Sequence, residues 1–404
     1  MKSIELFAGA GGLALGCELA GFSPVIVVER DKWSCDTIRE NKKRGYPLLK
    51  DWNLHEGDVR RFDWSAIHQT IDLISGGPPC QPFSMGGKHR AYDDSRDMFP
   101  AAVDIIRTVA PKAFLIENVK GLTRSTFENY YQYILLQLEF PEVGKRHDET
   151  WFKHFLRLQS EKSSGRLHGC ALAYNVVPTV VNAANYGVPQ KRDRVFVIGF
   201  RSDLGIEWSF PEATHSYEAL FFDQWITGAY WERHKITRRS RPVPSEALKK
   251  QIVRMRGTQY PTLAAWRTVR DALNGLPDPR TAEAAKILDH RYQNGARVYP
   301  GHTGSPLDLP AKTLKAGDHG VPGGENMMVD NGNVRYFTVR ESARLQTFPD
   351  GYRFHGSWTE AMRQLGNAVP VVLAQIVASS IAQKIIASDL QKLSRNHRSV
   401  ARIA

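Results

Sequence analysis

The sequence predicts an α/β fold: an open mixed sheet with helices on both faces, joined to a smaller, irregular, mostly-β domain. Three observations carry that prediction. Across residues 1–201, short apolar runs of strand length alternate with helical stretches, which is the rhythm of βα units. From Arg201 to about Arg335 the rhythm stops, and the chain turns rich in basic residues, tryptophan and glycine turns. Near the C-terminus a strongly apolar helix runs to about Ala387, and so apolar a helix must be buried against the sheet. The expected domains are therefore 1–201 completed by 362–404, with 202–361 between them. At 404 residues, two cores are the default in any case.

Composition narrows the class. The chain has 54 basic and 42 acidic residues, a formal charge of +12 and a pI near 9.5. That balance favours a polyanionic partner, nucleic acid before membrane. The four cysteines (Cys17, Cys35, Cys80, Cys170) show no CxxC or Cys/His spacing, so neither zinc nor a disulfide framework is expected. Reduced thiols fit a cytoplasmic protein. Met1 to Leu15 lacks the apolar core of a signal peptide, and no apolar run is read as approaching the roughly 20 residues that span a bilayer.

The first strand, Ser3 to Phe7, runs into Phe7-Ala8-Gly9-Ala10-Gly11-Gly12, and a helix follows from Leu13 to Ala20. Strand, glycine turn and helix resemble a nucleotide-binding unit, although the spacing is not GxGxxG; tight strand–helix packing explains the glycines equally. Pro24 to Val28 is the second strand, tipped by Glu29-Arg30-Asp31. Glu29 stands where such folds accept ribose hydroxyls, and Asp31 suits the cap of the helix Lys32 to Asn41. Asp58 and Val59 stand at a third strand end, where Asp58 could accept from an exocyclic amine.

The apolar run Ile71 to Ile74 ends in Gly77-Pro78-Pro79-Cys80-Gln81-Pro82-Phe83-Ser84. Glycines and prolines stop regular structure there and hold a lone cysteine at a strand end. A buried structural thiol is the ordinary fate of such a residue. The stiff frame on both sides favours a nucleophile, which must be held still to work. Met85 to Asp97, including Arg96, then reads as a basic loop.

Helix Met98 to Val109 leads to strand Ala113 to Ile116 and to Glu117-Asn118-Val119. Glu117 is either a helix cap or a functional carboxylate on the same sheet edge as Cys80. Phe127 to Leu138 is helical. About 139–168 is a polar, basic insertion with a helix around Thr150 to Gln159, and no chemistry is assigned to it. Strand Ala173 to Val181, then Gln190-Lys191-Arg192-Asp193-Arg194 and strand Val195 to Phe200 complete the rhythm, the arginines suiting anion or carbonyl recognition. In the middle domain, basic and aromatic residues interleave as phosphate contact and base stacking require, and Thr313-Leu314 lies in a strand-like run, Ala311 to Lys315.

Phe7-x-Gly9-x-Gly11, Pro79-Cys80-Gln81, Glu117-Asn118-Val119, Gln190-x-Arg192-x-Arg194 and Gly366-Asn367, in this order, resemble the DNA (cytosine-5)-methyltransferases of bacterial restriction-modification type. The resemblance covers nearly the whole chain apart from the insertion and the middle domain. It implies a Rossmann-like, S-adenosylmethionine-dependent methyltransferase sheet with a target-recognition domain, S-adenosyl-L-homocysteine as product, and no metal. It further implies double-stranded DNA as partner, a monomer, and a restriction endonuclease as functional companion.

Residue by residue, the resemblance implies Cys80 as nucleophile at carbon 6 of a flipped cytosine and Glu117 at ring nitrogen 3, which would need a raised pKa. It implies Arg194 at the cytosine carbonyl and Glu117, and Arg192 at phosphate. Phe7, Ala8, Gly9, Gly11 and Gly12 would surround the methionine moiety. Glu29 would take the ribose, and Asp58 with Val59 the adenine. Arg30 would stack on adenine, and Pro79, Asn367 and Val369 would complete the pocket. Gln81, Ser84, Arg96, Arg192, Thr313 and Leu314 would meet DNA. An RNA cytosine methyltransferase, a catalytically dead DNA-binding regulator and a Rossmann dehydrogenase are the alternatives; the last leaves the Cys80 turn unexplained.

Overall fold

The computed structural model describes residues 1–79, 97–298, 300, 303–316, 324–330 and 332–400, the last six by backbone only. Cys80, Gln81, Ser84 and Arg96 lie outside the described residues. The chain divides into two compact units: Met1–Val181, Asp193–Pro211 and the chain from Ala374 form one, and Asn182–Arg192 with Glu212–Leu373 the other.

Runs of Ile, Val, Leu and Phe, buried on both faces, build the central strands of the first unit. They are β1 (Lys2–Leu6), β2 (Ser23–Glu29), β3 (Leu54–Glu56), β4 (Leu73–Gly76), β5 (Ala113–Val119), β6 (Tyr174–Asn182) and β7 (Asp193–Arg201). Their order in one seven-stranded sheet is β3-β2-β1-β4-β5-β7-β6. Strands β1 to β5 pair in parallel, and β7 runs antiparallel to β5. Leu6 lies opposite both Val28 and Gly76, and Gly76 opposite Ile116. The C-terminal ends of four strands therefore form one edge, and the strand order reverses there between β1 and β4. That reversal is where an open α/β sheet leaves a crevice.

Helices α1 (Gly12–Leu19), α2 (Lys32–Lys43), α3 (Phe99–Val109), α4 (Glu128–Glu139) and α5 (Trp151–Ser163) accompany the sheet. Asp31 caps α2 as expected, accepting from Ser34 N at 2.9 Å. A Cβ on Gly16 would stand 2.4 Å from Ala374 Cβ, so only glycine lets α1 approach the C-terminal helix Val371–Val400 this closely.

The sequence expectation ends that helix near Ala387, but it continues to Val400. Asp389 pairs with Lys112 at 2.8 Å and Ser388 donates to Leu204 O at 3.4 Å, which ties down the polar extension. Trp358–Ser394 is also long and apolar enough to cross a membrane by length and composition, a correction to the expectation that no run would be. Of its most apolar window, 67% is buried inside the protein, as in the core helix of a soluble fold.

The second unit is irregular. It has a three-stranded sheet (Ser305–Pro306, Met327–Asp330, Asn333–Tyr336), a two-stranded pair (His215–Ser216, Ala264–Ala265) and several short helices. Ala311 makes only a single bridge to Gln190, so the strand expected over Ala311 to Lys315 does not form.

Candidate active site

The turn after β1 holds three positive φ angles, 52° at Phe7, 53° at Gly9 and 90° at Gly11. Glycine supplies two of them without strain, and Phe7 is the costly exception. A Cβ on Gly9 would meet nothing within 4 Å, so its backbone conformation, not crowding, calls for glycine.

Glu29, half-buried at the tip of β2, binds this turn. Its Oε2 accepts from Gly9 N at 2.7 Å, and Oε1 accepts from Arg30 N at 2.7 Å and Asp31 N at 2.6 Å. Burial holds its pKa above the ordinary carboxylate value, and those three amides oppose the rise only in part. A carboxylate has about four acceptor sites, so roughly one remains for a hydroxyl. Asp58 caps the turn after β3 and takes the Arg60 guanidinium, with Nε at 3.0 Å and Nη2 at 2.5 Å. Those bonds hold its pKa down at about 2, so it stays an acceptor. Arg30 is exposed, 3.9 Å from Asp58, and Val59 is buried. An open glycine turn, an acid with acceptor capacity left and a second ionised acid on one edge fit a cofactor bearing a ribose and an amine.

Farther along the same edge, Glu117 and Arg194 come together. Both lie inside strands: Glu117 ends no helix, and Arg194 does not precede its strand as expected. Antiparallel register sets Arg194 opposite Val119, two residues from Glu117, on the same face. Arg194 Nε stands 2.8 Å from Glu117 Oε1, with the two residues 8% and 6% exposed, and Arg194 Nη1 donates to Asp193 O at 2.7 Å.

Gly77, at the tip of β4, adjoins the same carboxylate: a Cβ there would stand 3.3 Å from Glu117 Oε2. Asn118 Nδ2 donates to Pro78 O at 3.1 Å, and Asn118 Oδ1 accepts from Val119 N at 2.8 Å. Pro78 is buried and Pro79 exposed, so Asn118 pins the chain two residues before Cys80. Asn118 stands inside the Glu117-Asn118-Val119 motif but had no expected role of its own.

Arg192 is corrected. It was expected at phosphate, but it is fully buried in the second unit. Its guanidinium donates to Leu314 O at 3.2 Å, Gly366 O at 2.7 Å and Ala368 O at 2.8 Å. No surface remains there for an anion. Leu314, expected at DNA, is buried as well, and its amide donates to Gln190 Oε1 at 3.0 Å. Thr313 is half-buried and donates its hydroxyl to Lys191 O at 2.7 Å.

Gln190 Nε2 also donates to Gln346 Oε1 at 3.2 Å, and Gln346 reaches Leu365 O and Ala368 O. This buried network stitches four chain segments and fixes the backbone on either side of Asn367, which is exposed, while Val369 is buried. A Cβ on Gly366 would lie 2.4 Å from Ala316 N, which explains the glycine. Among the described residues, no group of three or more His, Cys, Asp or Glu side chains is placed to hold a metal ion.

The family model for C-5 cytosine-specific DNA methylases matches residues 1–142 and 168–383. The Type II methyltransferase M.NgoPII of Neisseria gonorrhoeae is 32% identical over 95% of this chain and 96% of its own length. The Type II methyltransferase M.PspPI of Psychrobacter sp. is 31% identical over 95% of this chain and 80% of its own. A solved structure of a Spodoptera frugiperda DNMT2 variant shares the fold at a TM-score of 0.56 and 16% identity, covering 94% of this chain and 99% of that one.

Proposed function

Because the chain belongs to the C-5 cytosine-specific DNA methylase family, we propose that it methylates carbon 5 of a flipped-out cytosine within a specific duplex sequence, through a covalent Cys80 adduct. It is a DNA (cytosine-5)-methyltransferase. The observation that carries the fuller reading is the buried Glu117–Arg194 pair beside the tip of β4, which leads into Cys80.

S-adenosylmethionine supplies an electrophilic methyl group when bound. The turn Phe7 to Gly12, Glu29 and Asp58 would hold it in the first unit. Cytosine carbon 5 is a poor nucleophile. An ordinary thiol, with a pKa of about 8.5, supplies some thiolate at neutral pH. Cys80 Sγ bonds to carbon 6, and the ring electrons move onto carbon 5 and nitrogen 3. Glu117 hands a proton to nitrogen 3 and so stabilises the charge developing there. Arg194 orients Glu117 and donates to the cytosine carbonyl. Carbon 5 takes the methyl group as the methyl–sulfur bond breaks and S-adenosyl-L-homocysteine is left; nitrogen 3 then returns its proton to Glu117, solvent removes the carbon 5 proton, and those electrons expel Cys80 from carbon 6 as thiolate, freeing 5-methylcytosine.

Flipping costs a few kcal/mol of unstacking, which contacts to the displaced duplex must offset. We assign those contacts and the reading of base edges to 202–361, with Gln81, Ser84 and Arg96 contributing from the Cys80 side. As a monomer this enzyme would be the modification half of a restriction-modification pair. Bisulfite sequencing of plasmid from cells that express it tests the reading: protected cytosines should fall at one recurrent sequence. Modification of transfer RNA with unprotected plasmid would overturn it.

A further inference from the structure

Beyond Glu56 at the end of β3 the chain reads Gly57-Asp58-Val59-Arg60. Parallel pairing sets Glu56 opposite Glu29, and Gly57 N donates to Glu29 O at 2.8 Å. Asp58 therefore stands beside the acid that binds the glycine turn. An aspartate in this place can cap the short helical turn Val59–Arg61, and it does so by accepting from Arg60 N at 3.0 Å. The side chain of Arg60 then folds back onto the same carboxylate.

This one residue nearly fills the acceptor capacity of Asp58. Oδ1 takes Arg60 N and Arg60 Nε, each at 3.0 Å. Oδ2 takes Arg60 Nη2 at 2.5 Å and shares Nε at 3.2 Å. A carboxylate has about four acceptor sites, so roughly one is left, and it belongs to Oδ2. Arg30 Nη1, 3.9 Å from Oδ2, is too far to take it by a hydrogen bond. A guanidinium that engages both oxygens fixes the rotation of a carboxylate as well as its charge, which an ammonium cannot do.

We propose that Arg60 is a positioning residue for cofactor selection: its fork locks the Asp58 carboxylate, so that one fixed acceptor on Oδ2 takes the exocyclic amine of adenine and refuses a 6-oxo purine. The inference rests on the reading of Asp58 as the acceptor for adenine. A 6-oxo purine presents an oxygen where adenine presents its amine, and an ionised carboxylate has no proton to give it. The nearest donor of such a purine is the ring N–H one position away. A carboxylate free to rotate can turn to meet it, and a locked one cannot.

The test titrates the full-length enzyme calorimetrically with S-adenosyl-L-homocysteine and with S-inosyl-L-homocysteine, its 6-oxo analogue, and records thermal midpoints beside the two Kd values. The parent should prefer the adenosyl ligand by about tenfold or more, since a hydrogen bond to a charged group is at stake. Arg60→Ala should cut that preference about fivefold, the upper end for an exposed pair, by raising the adenosyl Kd alone. Its midpoint should stay parental, because the Arg60 side chain is 50% exposed and such pairs add little to stability. Arg60→Lys keeps the charge without the fork and should behave as Arg60→Ala does. Parental preference in Arg60→Ala would overturn the proposal. Recovery of the preference in Arg60→Lys would do the same, as would equal weakening of both ligands with a lowered midpoint. Asp58→Asn separates the two readings, and should abolish the preference. If it keeps the parental preference, the reading of Asp58 fails and takes the inference with it; if it abolishes the preference while Arg60→Ala is parental, only the part given to Arg60 fails.

Discussion

Glu117 illustrates how much a single side chain depends on its neighbours here. A carboxyl group 6% exposed is tolerable because Arg194 lies against one oxygen, while Gly77 contributes no side chain beside the other, which is left to carry the proton. Glu117→Gln keeps the shape and removes the proton that nitrogen 3 requires. General acid–base groups contribute about 10²–10⁴ in rate, and kcat should fall within that range. Cofactor affinity should stay parental, since Glu29 and not Glu117 organises the glycine turn; equilibrium binding beside steady-state kinetics checks both.

Arg192 makes the opposite case. Its neighbours in sequence place it in a motif of arginines, yet its three carbonyl partners lie 122, 174 and 176 residues away. No local pattern marks an arginine whose acceptors are that distant. Glu117 and Arg194 were paired in advance only through the family resemblance, because the sequence expectation set both outside their strands, and it is the strand register that brings them to one face.

At the scale of the element, β1 carries a feature the methyl-transfer chemistry does not use. Glu5 sits in the middle of this strand, 2% exposed, and accepts from Ser3 Oγ at 2.7 Å and from Ser75 Oγ of β4; Cys17 of α1 donates to that same Ser75 hydroxyl at 3.6 Å. Burial lifts its pKa to about 7 in spite of the hydroxyl donors. The folded protein therefore keeps a proton that the unfolded chain releases above about 4.5. Stability from this group is full below that pH and is lost as pH rises toward 7, by roughly 3 kcal/mol.

Glu5→Gln should flatten that dependence, giving a higher thermal midpoint than the parent at pH 8 and little difference at pH 5. Midpoints recorded across that range for both proteins check it, and parallel curves would contradict it. The strands themselves were legible, since each apolar run is bounded by glycine, proline or acid. Their ends were less so: β5 and β7 extend through the residues that seemed to follow or precede them, because pairing with a neighbour continues past the apolar run.

At the scale of the molecule, a parallel sheet delivers every strand's C-terminal end to one edge, so the order of motifs along the chain becomes an arrangement in space. That is why the first unit's edge could be read in advance and the second unit's interior could not. The second unit's regular elements are short, and beside its apolar core a buried polar network joins segments distant in the chain. It also carries much of the charge: from Thr237 to Tyr260 there are seven basic residues and one acid, most of them exposed. If Lys250 and Arg254 each neutralise one phosphate, Lys250→Ala/Arg254→Ala should reduce the slope of log K against log salt by about 1.8, at about 0.9 per phosphate. Titrations of duplex DNA at several salt concentrations give that slope, and an unchanged value would take these residues off the DNA.

The most direct measurement of the central claim is trapping on a duplex carrying 5-fluorocytosine at the modified position. With fluorine in place of the departing proton, the carbon 6–sulfur bond cannot be released after methyl transfer. The enzyme with S-adenosylmethionine should yield a complex that survives denaturation, and Cys80→Ser should bind the same duplex without forming one. Methylation of ordinary duplex by an enzyme that leaves no such complex on the fluorinated one would contradict covalent catalysis by Cys80.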